Sequence, residues 1–134
     1  MSNVQNSIPA DEDRKAMAHF VSAASCFRRS RNTGFTMMVG VGGQRALLRV
    51  REGAVAEVHD LATLRPLTSW DFSVIAEAET WRRFWRPVPE AGWHDLFALT
   101  RNGRMQLEGN LHPLMANLQF VKDVLASPRH QEQP

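Results

Sequence analysis

Apolar positions change period several times along the chain, and the changes divide it into elements. Between Asp11 and Arg31, Met17, Phe20, Val21, Ala24 and Phe27 recur every three or four residues, which predicts one apolar helix stripe. Acids open this segment and Arg28, Arg29 and Arg31 close it, as the helix dipole favours, and Thr33-Gly34 ends it. From Phe35 the period falls to two. Phe35, Met37, Val39 and Val41 alternate with small or polar residues, and Gly42-Gly43 signals a turn. Ala46, Leu48 and Val50 then alternate with Arg45, Arg49 and Arg51, with Leu47 out of phase. After Gly53, "AVAEVHD" is a third strand. Together these predict an antiparallel meander with one face covered and one wet. Residues 60–69 read as a loop around Pro66. "SWDFSVIAEA" is a fourth strand, with Trp70, Phe72, Val74 and Ala76 on one face.

The second half returns to helical spacing. Trp81, Phe84 and Trp85 fall at i, i+3 and i+4, one face of a short helix, with Arg82, Arg83 and Arg86 pointing elsewhere. "RPVPEAG" breaks it. A second short helix carries Trp93, Leu96 and Phe97 on one face. Asn102-Gly103 turns into a fifth strand with Met105 and Leu107 facing inward. Asn110 is placed to cap a last helix over 111–126, with Pro113 in its first turn and a stripe of Leu111, Leu114, Met115, Leu118, Val121 and Leu125. Phe120 and Val124 widen that stripe beyond one packing face. The expected strands are 35–41, 45–51, 54–59, 70–76 and 104–109. The fold class is α+β: a five-stranded, mostly antiparallel sheet with helices packed on one face.

Composition narrows the class of protein. A chain of 134 residues is one domain, expected over 11–127, between a flexible arm over 1–10 and a disordered tail over 128–134. The single cysteine, Cys26, excludes an internal disulfide and reads as a small buried hydrophobe on the first helix. There is no apolar run for a signal peptide or a membrane span, so the expected location is cytoplasmic. Of the 16 basic residues 14 are arginine, but the acids nearly balance them and they are spread along the chain, which argues against nucleic acid.

With these elements in place, a resemblance emerges. "RALLRVREGAVAEV", "SWDFSVIAEAETWRRFW" and "LTRNGRMQLEGNLHPLMANLQFV" resemble the sterol carrier protein 2 (SCP2-like) domain family, over roughly residues 12–126. The family's strand running into a short helix is similar to "SWDFSVIAEAETW", and its strand ending in Glu-Gly-Asp is similar to "NGRMQLEGN". The resemblance implies helices stacked on one face of a five-stranded sheet, and an apolar tunnel between them for a fatty acyl chain, acyl-CoA, sterol or similar lipid. It implies no cofactor and no metal. Position by position, it places Phe72, Val74, Trp81, Phe84, Trp85, Leu107, Leu114, Met115 and Leu118 along the tunnel; Trp93, Leu96, Phe97 and Leu111 join them as candidate ligand-binding residues. Two prolines and Trp93 in "RPVPEAGWH" depart from the pattern, and the peroxisomal C-terminal signal of some relatives is absent.

Candidate chemistry is sparse. His94-Asp95 and His59-Asp60 are sequence neighbours that point apart, so neither is a dyad by itself. His19, His59, His94, His112 and His130 lack metal-ligand spacing, and "GVGG" lies in a hairpin rather than between a strand and a helix. The expectation is therefore a non-catalytic carrier or reservoir of a lipid-like ligand, entered by parting the segment 78–100. A transient anionic membrane surface would meet Arg82, Arg83 and Arg86, expected to be exposed. Two alternatives stand beside it: an accessory module with a closed core that binds a partner enzyme or a second copy, and an enzyme with a cone-shaped pocket for a small apolar substrate.

Overall fold

A computed structural model describes residues 3–30, 33–60 and 69–130. Helix α1 spans Asn3–Ser25 and leads into strands β1 (Gly34–Val41), β2 (Gln44–Arg51) and β3 (Ala54–Asp60). Strand β4 (Phe72–Ala76) runs into α2 (Ala78–Phe84), followed by α3 (Leu96–Arg101) and β5 (Met105–Gly109). Helices α4 (Leu111–Ala116) and α5 (Leu118–Leu125) and a 3-10 turn, Ser127–His130, complete the described chain.

The sheet order is β3-β2-β1-β4-β5. All neighbours are antiparallel except β1 and β4, which pair in parallel with Val39 opposite Val74. The five strands match the expected ones to within two residues; Trp70 lies just ahead of β4. The expected loop at 61–68, in the link from β3 to β4, and tail residues 131–134 lie outside the described residues.

One sheet face carries Phe35, Met37, Val39, Leu48, Val50, Phe72 and Val74 into a single core with Phe20 and Ala24 of α1 and Val121 and Leu125 of α5. The opposite face is not wholly wet. Leu47 pairs with Met38, Met38 with Ser73, and all three are buried in one row. Arg45 and Arg49, two residues to either side of Leu47 on the same face, are only partly exposed, as long alkyl stems lying over apolar neighbours would be.

Four boundaries differ from the sequence expectation. The expected loose arm is helical from Asn3, because a helix already nucleated by core packing extends at little further cost. At its other end α1 stops at Ser25 instead of Arg31. Arg28 leaves it to bridge Ala54, and the Arg29 amide donates to the Gly53 carbonyl at 2.8 Å, so these arginines serve the β2–β3 turn rather than the helix dipole. Cys26 falls just past the helix end and is exposed, not buried. The expected helix 111–126 is broken at Asn117, whose side-chain amide donates to the Pro113 carbonyl at 2.9 Å and diverts the backbone to φ −123°. The C-terminal segment is tied in as far as Arg129, whose guanidinium holds the Phe84 carbonyl.

Two glycines are required by close approach. Gly109 of "LEGN" has φ +105°, and a Cβ there would sit 2.7 Å from the Asp71 carbonyl oxygen. That carbonyl accepts the Asn110 amide, and the Asp71 carboxylate accepts the Thr36 amide at 2.8 Å, so this junction ties β5 to β4 and β1. Gly42 of "GVGG" has φ +60° and lies against the Asp13 carboxylate, which accepts the Gly43 amide. Gly109→Ala should cost about 2 kcal/mol or more in urea unfolding, whereas Gly103→Ala, with open space around it, should cost about 1 kcal/mol. Equal losses at the two positions would contradict the close-approach account.

Candidate functional site

Helix α2 is the wedge between sheet and helices. Trp81 and Phe84 project from it into the core, and Trp85 caps its C-terminus. Each indole spends its N–H inside the protein. Trp81 Nε1 donates to the Gly40 carbonyl at 2.8 Å, and Trp85 Nε1 donates to the Leu125 carbonyl at 2.8 Å. The Phe20 ring lies 6.3 Å from Trp81 and 6.0 Å from Trp85, and the two indoles are 5.5 Å apart, stacked. The rings fill the layer between sheet and α1, and their polar edges are already satisfied.

The other candidate ligand residues divide into three groups. Phe72, Val74, Phe84, Leu96 and Leu114 are buried in the same core, with Leu107 and Leu118 packed at its margin. Trp93 and Phe97 are half-buried. Trp93 precedes α3 rather than lying on it, because Asp95 is the N-cap, accepting the Ala98 amide at 3.2 Å. Arg83 and Arg104 lie over Trp93 with guanidinium carbons 3.8 and 4.5 Å from the ring centre. Leu111 and Met115 are exposed, at 41% and 55%, on the outer side of α4.

A cleft of about 480 Å³ lies between α1 and the C-terminal end of α2. Trp85, Ala16 and Pro87 form its apolar part, and Lys15, Arg82, Arg86 and Glu12 its charged part, with His19 edge-on to Trp85 at 5.9 Å. Arg82 crosses from α2 to α1, donating to the Glu12 carboxylate at 2.6 Å and its carbonyl at 3.0 Å. Trp85 is therefore the one residue of the expected tunnel that also meets this cleft. The sequence reasoning passed over Glu12, Lys15, Ala16 and His19. Their spacing of i, i+3, i+4 and i+7 is a helix face beside the apolar stripe, and Arg82, Trp85 and Arg86 repeat it on α2.

The arginines are less free than expected. Arg82 and Arg83 are partly covered, at 38% and 30% side-chain exposure, because Arg82 pairs with Glu12, and Arg83 pairs with Glu90 and lies over Trp93. Arg86 shares Glu90 at 3.2 Å and keeps 51% exposure. The Arg83 hydrogen bond, then its charge, hold the Glu90 carboxyl below the usual range.

His94 is exposed and Asp95 pairs with Lys122. Burial raises the Asp95 pKa, but the Lys122 hydrogen bond at 3.2 Å, the Ala98 amide and the Lys122 charge outweigh it and leave the carboxyl below its ordinary value. Among the described residues no group of three His, Cys, Asp or Glu side chains could hold a metal ion, and no helix is long and apolar enough to cross a membrane.

No protein-family model matches the chain, and no curated protein matches it. Among solved structures, one titled "UbiJ-SCP2 Ubiquinone synthesis protein" is similar to it over 94% of each chain, at 18% identity and a TM-score of 0.49. The five-stranded sheet with helices stacked on one face is the architecture that the SCP2-like resemblance implied.

Trp81→Phe keeps an aromatic ring but removes the pyrrole half of the indole with its N–H, so the bond to the Gly40 carbonyl and part of the buried packing are lost together; it should cost about 2–4 kcal/mol in thermal or urea unfolding. No loss would mean that this bond does not hold α2. Because the Asp95 pKa is depressed in the folded state, its contribution is complete above the unfolded value of about 3.9 and fades as pH falls through the lower folded value. The stability gap between wild type and Asp95→Asn should therefore narrow as pH drops from about 5 to about 2. A gap that widens would contradict the sign.

Proposed function

We propose that the protein binds a lipid-like ligand without performing chemistry on it, as carrier or reservoir, and that the apolar chain of that ligand lies against Trp85 in the cleft between α1 and α2. The observation that carries this reading is the double position of Trp85. Its N–H is anchored in the core while its ring borders a cleft with apolar walls and a cationic rim. A ring so held is rigid and apolar, suited to an acyl chain.

Lys15, Arg82 and Arg86 favour a ligand with an anionic head, such as a fatty acid. Their partners Asp11, Glu12 and Glu90 are themselves about half exposed. Exposed pairs of this kind hold by no more than about 1 kcal/mol, so a ligand head can displace a carboxylate. Each methylene withdrawn from water contributes about 0.8 kcal/mol, which brings a chain of about ten carbons to micromolar affinity after association costs. The same three cations, with Val88 fully out in solvent beside Pro87, give the protein a way to touch an anionic membrane while loading or unloading.

A second reading is favoured by one observation, the filled core. With Trp81 and Trp85 stacked and hydrogen-bonded inside, the protein is also fit to be an accessory module that binds a partner enzyme through its surface.

Native mass spectrometry of the purified chain and a decanoate titration followed by tryptophan fluorescence separate the two. Under the ligand reading, decanoate gives a saturable change at micromolar to tens-of-micromolar concentrations. Arg82→Gln weakens it several-fold at low ionic strength, and the difference shrinks as salt approaches 0.15 M, where the screening length is about 8 Å. A flat response to fatty acids, acyl-CoAs and sterols alike, with no co-purified lipid, would transfer the assignment to the interaction module.

A further inference from the structure

A second cavity, of about 260 Å³, lies between Phe84, the start of α3 and the outer side of α5. Its walls are polar and carry an uneven charge. Arg29, Lys122 and Arg129 supply three cations against the two carboxylates of Asp95 and Asp123, which leaves one positive charge in excess.

The carboxylates are already committed. Asp95 accepts the Ala98 amide on one oxygen and pairs with Lys122 on the other. Asp123 accepts the Gln119 side-chain amide at 2.8 Å and faces Arg29 at 3.9 Å. Arg129 is left with no carboxylate among the described residues. Its Nε and Nη2 donate to the Phe84 carbonyl at 3.1 and 2.6 Å, and the guanidinium rests over the Phe84 ring with its carbon 4.8 Å from the centre. Those contacts fix its orientation and leave the Nη1 end without a hydrogen bond among the described residues. Partial burial lowers its proton affinity, yet a guanidinium stays charged at any working pH. An immobilised, partly desolvated cation without a counter-charge among the described residues is a poor end state unless an anion joins it.

We propose that this cavity binds a phosphate group, either free or carried by an amphiphile, with Arg129 as its principal ligand. Three donors approach from different elements: Arg129 from the 3-10 turn, Lys122 from α5 and His94 from the loop before α3. A tetrahedral oxyanion, which accepts hydrogen bonds all round, suits such an arrangement better than a planar carboxylate held edge-on by one guanidinium. The site is separate from the cleft at Trp85 and stands whether or not fatty acids bind there.

The test is a titration of the full chain with sodium phosphate, followed by 1H–15N spectra at constant ionic strength, with sodium acetate as comparison. Flotation with phosphatidic acid or phosphatidylcholine vesicles is the parallel arm. The expected result is a saturable phosphate response at His94, Lys122 and Arg129, tighter than that to acetate. Arg129→Gln should weaken it about tenfold, the loss of one charge-assisted hydrogen bond. Should that variant fail to fold, Asp123→Asn decides instead: removing a negative charge should tighten phosphate several-fold. A response to free phosphate identifies a soluble anion as the ligand. Flotation with phosphatidic acid alone, lost in Arg129→Gln or strengthened in Asp123→Asn, identifies a lipid headgroup. No response in either arm, or responses indifferent to the substitutions, would overturn the proposal.

Discussion

Two indole N–H groups decide where α2 lies. One is held by the carbonyl of Gly40 near the C-terminal end of β1 and the other by the carbonyl of Leu125 at the end of α5. A buried donor without a partner costs about 1–3 kcal/mol, so each ring is fixed in direction as well as in place. The rest of the helical layer follows from that constraint. Phe20 of α1 must stack beside the two indoles, the Phe84 carbonyl is turned toward Arg129, and the cleft opens where Trp85 and α1 diverge. Gly40 belongs to the same constraint: a Cβ there would come within 2.9 Å of Ile75 and Arg45, so close packing reaches the opposite face as well.

The sheet was legible in the sequence because alternation needs no knowledge of tertiary partners. Met37 and Val39, or Leu48 and Val50, declare a covered face by themselves. What periodicity could not supply was competition between local and distant partners. Nothing in "SCFRRSR" says that Arg28 leaves a helix to bridge Ala54, a contact across the fold. Asn117 looks like an ordinary interior residue until its amide is seen to take the Pro113 carbonyl. The candidate site was legible only in part. Apolar spacing found the rings at 81, 84 and 85, but the sequence cannot say whether a ring faces a ligand or another ring. The polar sides of the cleft, Glu12 to His19 and Arg82 to Arg86, were present as helical spacing and were hidden by their charge, which reads as solvated surface.

Charge placement separates the two cavities. In the cleft at Trp85 the cations are answered by exposed carboxylates that a ligand can displace, and the walls are apolar. In the cavity at Arg129 the carboxylates face other partners, Lys122 and Arg29, and the excess cation is held by the Phe84 carbonyl. The first arrangement suits a long chain with a modest head, the second a compact anion. Phe84 and Trp85, adjacent in sequence, each border one of them.

The central claim is that the core stays closed and that a ligand is met at its edge, by Trp85. The most direct measurement is a 1H–15N spectrum of the four indole N–H groups during a decanoate titration, with hydrogen exchange recorded at the end point. The account predicts that the Trp85 signal shifts with saturation while the Trp81 signal stays in place and keeps its protection against exchange. A shift at Trp81 accompanied by loss of that protection would show the sheet and helices parting around a ligand in the interior, and would contradict it.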